Sequence, residues 1–553
     1  MKDFSNEIWA YALKNAIEYD SAEAGKILPK LFQHKLDKKD IRLVMPKISE
    51  IVKKVNSLSK DEREKEFEKY KKYAKEREEH EKGLPELENV GKNMVFRLAP
   101  YPSGALHIGN AKTYLLNALY AQKYNAEILL VMDDTIGSED KQIMPESYKL
   151  LEDAFLWLGI KYEKPVIYKS NRLDIYYQYA DKLIEKGKAY VCHCLQKTLH
   201  DNRVEGKECE HRNISIEEQK KRWKKMFDAK EGTAVLRLKT SMQDPNPAFR
   251  DRVLFKISDR KHPRIGSKYR VWPTLEMNWA IDDHLLGITH ILRGNDLAIE
   301  TDMEKYIWDI FGWKHPETIH TALIRIDGIE NKISKSKAQK EVKSGQFSGW
   351  DDPRTWSIQS LKRRGIRKEA ILEFVKGFGI NRQDITVPIE SLYSINRKMA
   401  DSDADRYSFA SEPVEIKIKN APKIKNISVQ IHPDKKEKRK IEIGKSIFIS
   451  KQDFENLKGK EIRLLHLYNI KLDKSKKEGK FTSIDNKDIP KINWVSIGEK
   501  VKILMPDGKL ASGLAEKAVK NIKVDSLIQF ERFGFVRCDK NGQSESEFWF
   551  AHR

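Results

Sequence analysis

The stretch "RLAPYPSGALHIGNAK" (97–112) gathers a histidine, a glycine and an asparagine, His107, Gly109 and Asn110, just behind a Pro/Gly turn. A short strand-like run, "MVFRLAP", leads into the turn, and an apolar-spaced helix leaves it. A helix N-terminus offers free N–H groups and partial positive charge, which suit a phosphate. Gly109 leaves the backbone bare where a flat base can lie. His107 can donate a hydrogen bond to a phosphate as charge builds on it. Read alone, "HIGN" is better explained by a histidine that caps a helix and a glycine with no special duty.

Further on, "KISKS" places Lys332, Ser334 and Lys335 in a loop after a strand-like run. Flexible ammonium groups beside hydroxyls can follow a phosphate whose charge changes during reaction. A solvated basic loop would look the same in so lysine-rich a chain. Both motifs, in this order, argue against coincidence and for chemistry on a nucleotide.

The elements that must position these residues follow a readable pattern. Residues 1–83 carry helical apolar spacing in "IWAYALKNAIEY" and, apart from its one proline, in "IRLVMPKISEIVKKV"; "KDEREKEFEKYKKYAKEREEHEK" (60–82) predicts a charged, solvated helix, and 83–93 has a linker composition. From 94, "MVFRLAP", a helix and "AEILLVMDD" form a βαβ unit, which implies a parallel sheet with ligands beyond its carboxyl ends. A Cys/His-bearing insertion occupies about 190–265 before sheet-like text returns at "HLLGITHILRGND". Helical stretches fill about 341–405, and short β runs from 406 predict one or two antiparallel barrels.

Bulk composition narrows the class. The chain has 553 residues, enough for several cores. Lys+Arg number 104 against 83 Asp+Glu, a net charge of +21, which points to a polyanionic partner, nucleic acid before membrane. The N-terminus has no apolar signal region, and no run approaches the ~18 apolar residues of a membrane span. Four cysteines make no disulfide framework and fit a reducing cytoplasm.

"ALHIGN" and "KISKS" resemble the HIGH and KMSKS signatures of the class I aminoacyl-tRNA synthetases. "DDTIG", "WPTLEMNWAIDDHLLGITHILRGND", "GWDDPR", "SLYSINRKMADSDADRYSFA", "NWVSIGEKVKILMPDG" and "QFERFGFVRCD" narrow the resemblance to archaeal-type glutamyl-tRNA synthetases over nearly the whole chain. The resemblance implies a multidomain α/β plus all-β chain. Its parts are a helical N-terminal extension and linker (1–90), a Rossmann-like catalytic domain (91–340) with the 190–265 segment as acceptor-binding insertion, a helical stem-contact region (341–405), and anticodon-binding β-barrels (406–553). It also implies ATP with Mg2+, L-glutamate and tRNA as partners, glutamyl-adenylate as intermediate, no membrane, and a monomer. In this reading His107, Asn110, Lys332 and Lys335 are catalytic. Gly104, His107, Gly109, Asn110, Ser334 and Lys335 bind ATP.

For the amino acid, Asp133 suits the ammonium, an acidic position in the family. Arg97 and Arg293, with Ala99 nearby, suit the side-chain carboxylate, which a guanidinium can bind in bidentate fashion. Related glutaminyl enzymes usually carry an uncharged residue at the position of Arg293. Asn110, Leu275, Val131, Ile136 and Ile333 depart from the family pattern. Cys192, Cys194, Cys209 and His211 form C-x-C-x14-C-x-H, a spacing that can close a tetrahedral zinc site, with His193 and His200 as substitutes. The rival readings are a glutaminyl-tRNA synthetase, a small-molecule nucleotidyltransferase and a non-catalytic tRNA-binding paralogue. Charging of tRNA-Gln as well as tRNA-Glu is left open.

Overall fold

The computed structural model describes residues 3–31, 34, 36, 40–74, 84–137, 142–322, 324–328, 335–381 and 383–553. The chain divides into two compact units, 1–83 and 84–553. The first is helical: α1 (Ser5–Tyr19), α2 (Ala24–Leu31), α3 (Ile41–Asn56) and α4 (Lys60–Tyr70). Ile8, Leu13, Ile27, Ile48 and Val55 form its core. Pro46 does not end α3, although it removes one internal hydrogen bond, because the apolar face on both sides of it is buried. The charged helix starts with a reciprocal Ser59–Glu62 capping box and buries no residue, as its composition predicts; residues 75–82 of that prediction lie outside the described residues.

In the second unit, β1 (Val95–Leu98), α5 (Ile108–Tyr124), β2 (Glu127–Met132), α6 (Pro145–Trp157), β3 (Glu163–Tyr168) and α7 (Leu173–Glu185) build a parallel sheet in the order β1-β2-β3. An insertion follows: β4 (Ala189–Cys192), α8 (Gln196–Glu205), α9 (Ile216–Met226), β5 (Val235–Leu238), β6 (Val253–Ile257) and β7 (Val271–Pro273), the strands antiparallel in that order. The chain then returns through α10 (Leu275–Leu285), β8 (His290–Gly294), α11 (Ala298–Phe311) and β9 (Glu317–Thr321), with β8 and β9 parallel. The Thr289 N–H donates to the Val95 carbonyl at 3.0 Å, so β8 starts on the side of β1 away from β2. Crossovers therefore leave β1 in both directions, and a crevice opens at the carboxyl ends of β1, β2 and β8.

β10 (Ile324–Asp327), α12 (Lys335–Lys343), α13 (Ile358–Arg364), α14 (Lys368–Lys376), β11 (Ile385–Pro388) and α15 (Ile389–Ala400) continue the unit. α13, α14 and α15 pack on the same core as β1 and α5. Two barrel-like sheets end it, of six and seven strands. The seven-stranded sheet begins at 406–411, is left for the six-stranded sheet over 413–492, and resumes at 498. Each has its own core, Ile416, Ile449, Ile462 and Trp494 in one and Val501, Phe530, Val536 and Phe548 in the other. No helix among the described residues is long and apolar enough to cross a membrane.

Candidate active site

The turn between β1 and α5 is pinned from two directions. The Asp133 N–H donates to Pro100 O at 3.0 Å and the Met144 N–H to Pro102 O at 2.9 Å. From the other side, the Ile108 N–H donates to Trp356 O at 3.3 Å and the Ile358 N–H to Leu106 O at 2.8 Å. His107 is the N-cap of α5, and its Nδ1 accepts the Asn110 N–H at 3.3 Å. A neutral imidazole that accepts at Nδ1 carries its proton on Nε2, so the capping role and a donor role coexist. A Cβ on Gly109 would lie 3.2 Å from the His107 ring; the glycine gives that ring its room. Asn110 Oδ1 is buried without a partner among the described residues.

A cavity of about 580 Å³ opens here and brings Arg97, Ala99, His107, Gly109, Asn110, Asp133 and Arg293 together, with Ser103, Leu275 and Trp279. Gly104 is set apart from it: a Cβ there would lie 2.3 Å from the Trp350 indole, so this glycine admits a tryptophan. Lys332 and Ser334 lie outside the described residues; the backbone of Lys335 opens α12. Leu275 lines the cavity as the first residue of α10, whereas Val131 and Ile136 are buried away from it. A larger cavity, about 1050 Å³, lies between α6, α13 and the seven-stranded sheet and holds none of the candidate catalytic, ATP-binding, glutamate-binding or metal residues.

On the side of Arg97, Asp133 and Arg293 the cavity is backed by ion pairs, most of them buried. Arg97 binds Asp283 through two bonds, Nη2 to Oδ2 at 2.9 Å and Nε to Oδ1. Arg293 Nη1 donates to Glu304 Oε2 at 2.8 Å and to Thr301 Oγ1 at 3.0 Å; its buried Nε has no partner among the described residues. Arg172 Nε donates to Asp282 Oδ1 at 2.8 Å, and the Tyr176 hydroxyl to Asp282 Oδ2 at 2.6 Å. Lys169 Nζ sits 3.1 Å from Asp133 Oδ1 and donates to Asn278 Oδ1. Burial lowers the Lys169 ammonium to about 8, against the opposing pull of Asp133 and Asp282. Burial raises the Glu304 carboxyl, against the pull of Arg293.

Sequence reading missed Lys169, Trp279, Asp282, Asp283 and Glu304. The adjacent aspartates in the apolar helix text "WAIDDHLL" were a usable signal, since buried charges need partners. Nothing distinguishes Lys169 in "IYKSNR" from a surface lysine.

At the end of β4 a second cluster forms. The ligand atoms of Cys192, Cys194, Cys209 and His211 all lie within 4.8 Å of one another. Cys192 Sγ is 3.7 Å from Cys209 Sγ, and Cys194 Sγ is 3.5 Å from His211 Nδ1. Around a tetrahedral zinc with ~2.3 Å bonds to sulfur, neighbouring ligand atoms fall ~3.5–3.8 Å apart, so the donor set fits. Hydrogen bonds with Cys192 and then with Tyr190 and His211 hold the Cys209 thiol well below its usual range, and buried Arg237 approaches its Sγ at 4.0 Å. His193 Nδ1 turns instead to Thr233 O at 3.1 Å, and His200 is outside the cluster.

Residues 93–401 match the class I tRNA synthetases (E and Q), catalytic domain, and residues 404–487 and 480–539 match two anti-codon binding domains of the same class. The chain is 38% identical over 560 residues to a glutamate–tRNA ligase of Methanocaldococcus jannaschii, covering 99% of this chain and 100% of that protein. It is 40% identical over 574 residues to one from Pyrococcus abyssi, covering 98% of each chain. A third, from Pyrococcus furiosus, is 40% identical over 579 residues, again covering 98% of each. With its crevice at the carboxyl ends of β1, β2 and β8 and these matches along its length, the chain belongs to the class I tRNA synthetases of the E and Q family.

Proposed function

We propose that this protein ligates L-glutamate to tRNA at the expense of ATP, through glutamyl-adenylate. An oxygen of the glutamate α-carboxylate forms a bond to the α-phosphorus of ATP, the bond to the β-phosphate bridging oxygen breaks, and pyrophosphate leaves. A 3′-terminal ribose hydroxyl of tRNA then attacks the activated carbonyl; it loses its proton to solvent, and AMP leaves. Neither step needs a covalent enzyme intermediate, so positioning and charge stabilisation carry the chemistry.

The observation that carries the reading is the single cavity shared by His107, Gly109 and Asn110 at one end and Arg97, Asp133 and Arg293 at the other. In this reading the His107 Nε2–H and Asn110 meet the pentacovalent phosphate, with Lys335 from the start of α12 and Lys332 supporting it. Gly109 lets adenine approach. Mg2+ would come in on the ATP phosphates. Asp133 takes the substrate ammonium. The unpartnered Nε of Arg293 supports a role for that guanidinium toward the second carboxylate.

Cys192, Cys194, Cys209 and His211 would hold one Zn2+, which supplies a structural cross-link within the insertion and no chemistry. Cys192→Ser with Cys209→Ser should release the metal and impair acceptor-stem binding more than ATP binding. Metal analysis that finds no zinc in protein prepared without chelators would remove the site.

The test of the function is aminoacylation of purified tRNA-Glu and tRNA-Gln with labelled glutamate and labelled glutamine. ATP-dependent charging of tRNA-Glu with glutamate is expected, and the tRNA-Gln arm reads the breadth of tRNA choice. Preferential charging with glutamine, or tight tRNA binding without charging, would overturn the reading.

A further inference from the structure

Nearly every charge at the amino-acid end of the cavity is already matched inside the protein. Arg97 is held by Asp283, Arg172 by Asp282 and Arg293 by Glu304. Of the two carboxylates that line the cavity, Asp296 is exposed and Asp133 is buried, and Asp133 is the one the proposed function gives to the substrate ammonium. Lys169 meets it at 3.1 Å.

Lys169 is fully buried and does not line the cavity, so it stands behind Asp133. Asn278 accepts from its Nζ, and the Trp279 ring centroid lies 3.1 Å from it. The Arg97 guanidinium lies 3.6 Å from the same ring. Trp279 itself lines the cavity, so two cations are fixed against one wall residue.

We propose that Lys169 is a positioning residue for substrate choice: from behind Asp133 it holds that carboxylate and offsets its charge within the buried network, so that an amino acid with a second carboxylate is admitted. This rests on the glutamate reading above. With Lys169, the paired cations Arg97, Lys169, Arg172 and Arg293 balance the anions Asp133, Asp282, Asp283 and Glu304, and Asp296 stands apart as an exposed carboxylate on the cavity wall. Without it, one negative charge is left over in a water-poor site. An uncompensated anion there repels glutamate, which carries a net negative charge. It acts little on glutamine, which carries none. Both substrates present the same ammonium to Asp133, so the ratio between them isolates the effect of the pocket's charge.

The experiment is pyrophosphate exchange driven by glutamate and by glutamine, with tRNA present, for the full chain and for Lys169→Gln and Lys169→Met. The glutamate-to-glutamine ratio of kcat/KM should fall by about tenfold or more in both variants, while the KM for ATP stays put. Adding Asp133→Asn to Lys169→Gln restores neutrality, so the ratio should recover even though both substrates now react poorly. A ratio that stays within about twofold of the wild type, or an equal fall for both amino acids, would overturn the inference. So would failure of both variants to fold, because Lys169 would then be a structural residue. A wild-type chain that prefers glutamine would instead defeat the glutamate reading itself.

Discussion

The two ends of the active-site cavity are built on opposite principles. On the side of His107, Gly109 and Asn110, proposed for the nucleotide, the groups are neutral. His107 spends one ring nitrogen on capping α5, Asn110 keeps a buried oxygen without a partner among the described residues, and Gly109 contributes bare backbone. On the side of Arg97, Asp133 and Arg293, proposed for the amino acid, every cation pairs with a carboxylate, and all of them but Arg172 are buried. The phosphate's charge changes during reaction, so neutral hydrogen-bonding groups that can adjust to it serve it well. The amino acid brings fixed charges, and a buried, compensated network can be set to one charge pattern in advance. Damage to the first end should therefore appear in rate, and damage to the second in folding or in substrate choice.

Asp283→Ala should give the largest effect. It strands the Arg97 guanidinium, which is 5% exposed and doubly bonded to that carboxylate. Removing one partner of a buried pair costs ~3–5 kcal/mol. Urea unfolding should show this loss, and a change below ~1 kcal/mol would mean that water already reaches the pair.

Lys335→Ala tests the other end. Its contribution belongs to the transition state, so adenylate formation should slow by the equivalent of ~3 kcal/mol while stability and ATP binding hold. An unchanged single-turnover activation rate would take Lys335 out of the mechanism.

A smaller effect separates the ends by pH. Lys169 faces Asp133, Asp282 and Arg97, with Asn278 and Trp279 against its Nζ. Burial lowers its ammonium from 10.5 to about 8. Between those values the unfolded chain binds the proton and the folded chain does not, so unfolding free energy rises with pH there. Below about 8 the cost of the buried charge is present in full. The wild type should therefore gain stability from pH 8 to 10.5 relative to Lys169→Gln. Parallel stability curves for the two would show that water screens the site.

How far the sequence could be read follows the same division. The β1–α5 turn, the parallel sheet and the Cys/His cluster were legible because each depends on residues close together in the chain or on a spacing that only one geometry uses. The compensating carboxylates were not. Asp283 comes from α10 and Glu304 from α11, and their partners lie on β1 and β8. Lys169 reads as one more lysine in a chain with 104 Lys and Arg. Gly104 looked like part of the phosphate turn, yet it accommodates Trp350, from a segment far along the chain. The two barrel-like sheets were legible as short β runs, but the split path of the seven-stranded sheet was not, since its first strands at 406–411 are separated from the rest by the whole six-stranded sheet.

The central claim is that glutamate is chosen because a pocket cation reads its second carboxylate. Arg293→Ala alone would leave Glu304 buried and unpaired and would confuse folding with recognition. The direct measurement is the double variant Arg293→Leu with Glu304→Gln, which removes both charges together, assayed by glutamate- and glutamine-dependent pyrophosphate exchange with tRNA present. Glutamate kcat/KM should fall by about 30-fold to several-thousand-fold, the equivalent of ~2–5 kcal/mol, while glutamine changes by less than about threefold. A fall for glutamate of less than about threefold would contradict the claim and leave the choice of amino acid to residues other than Arg293.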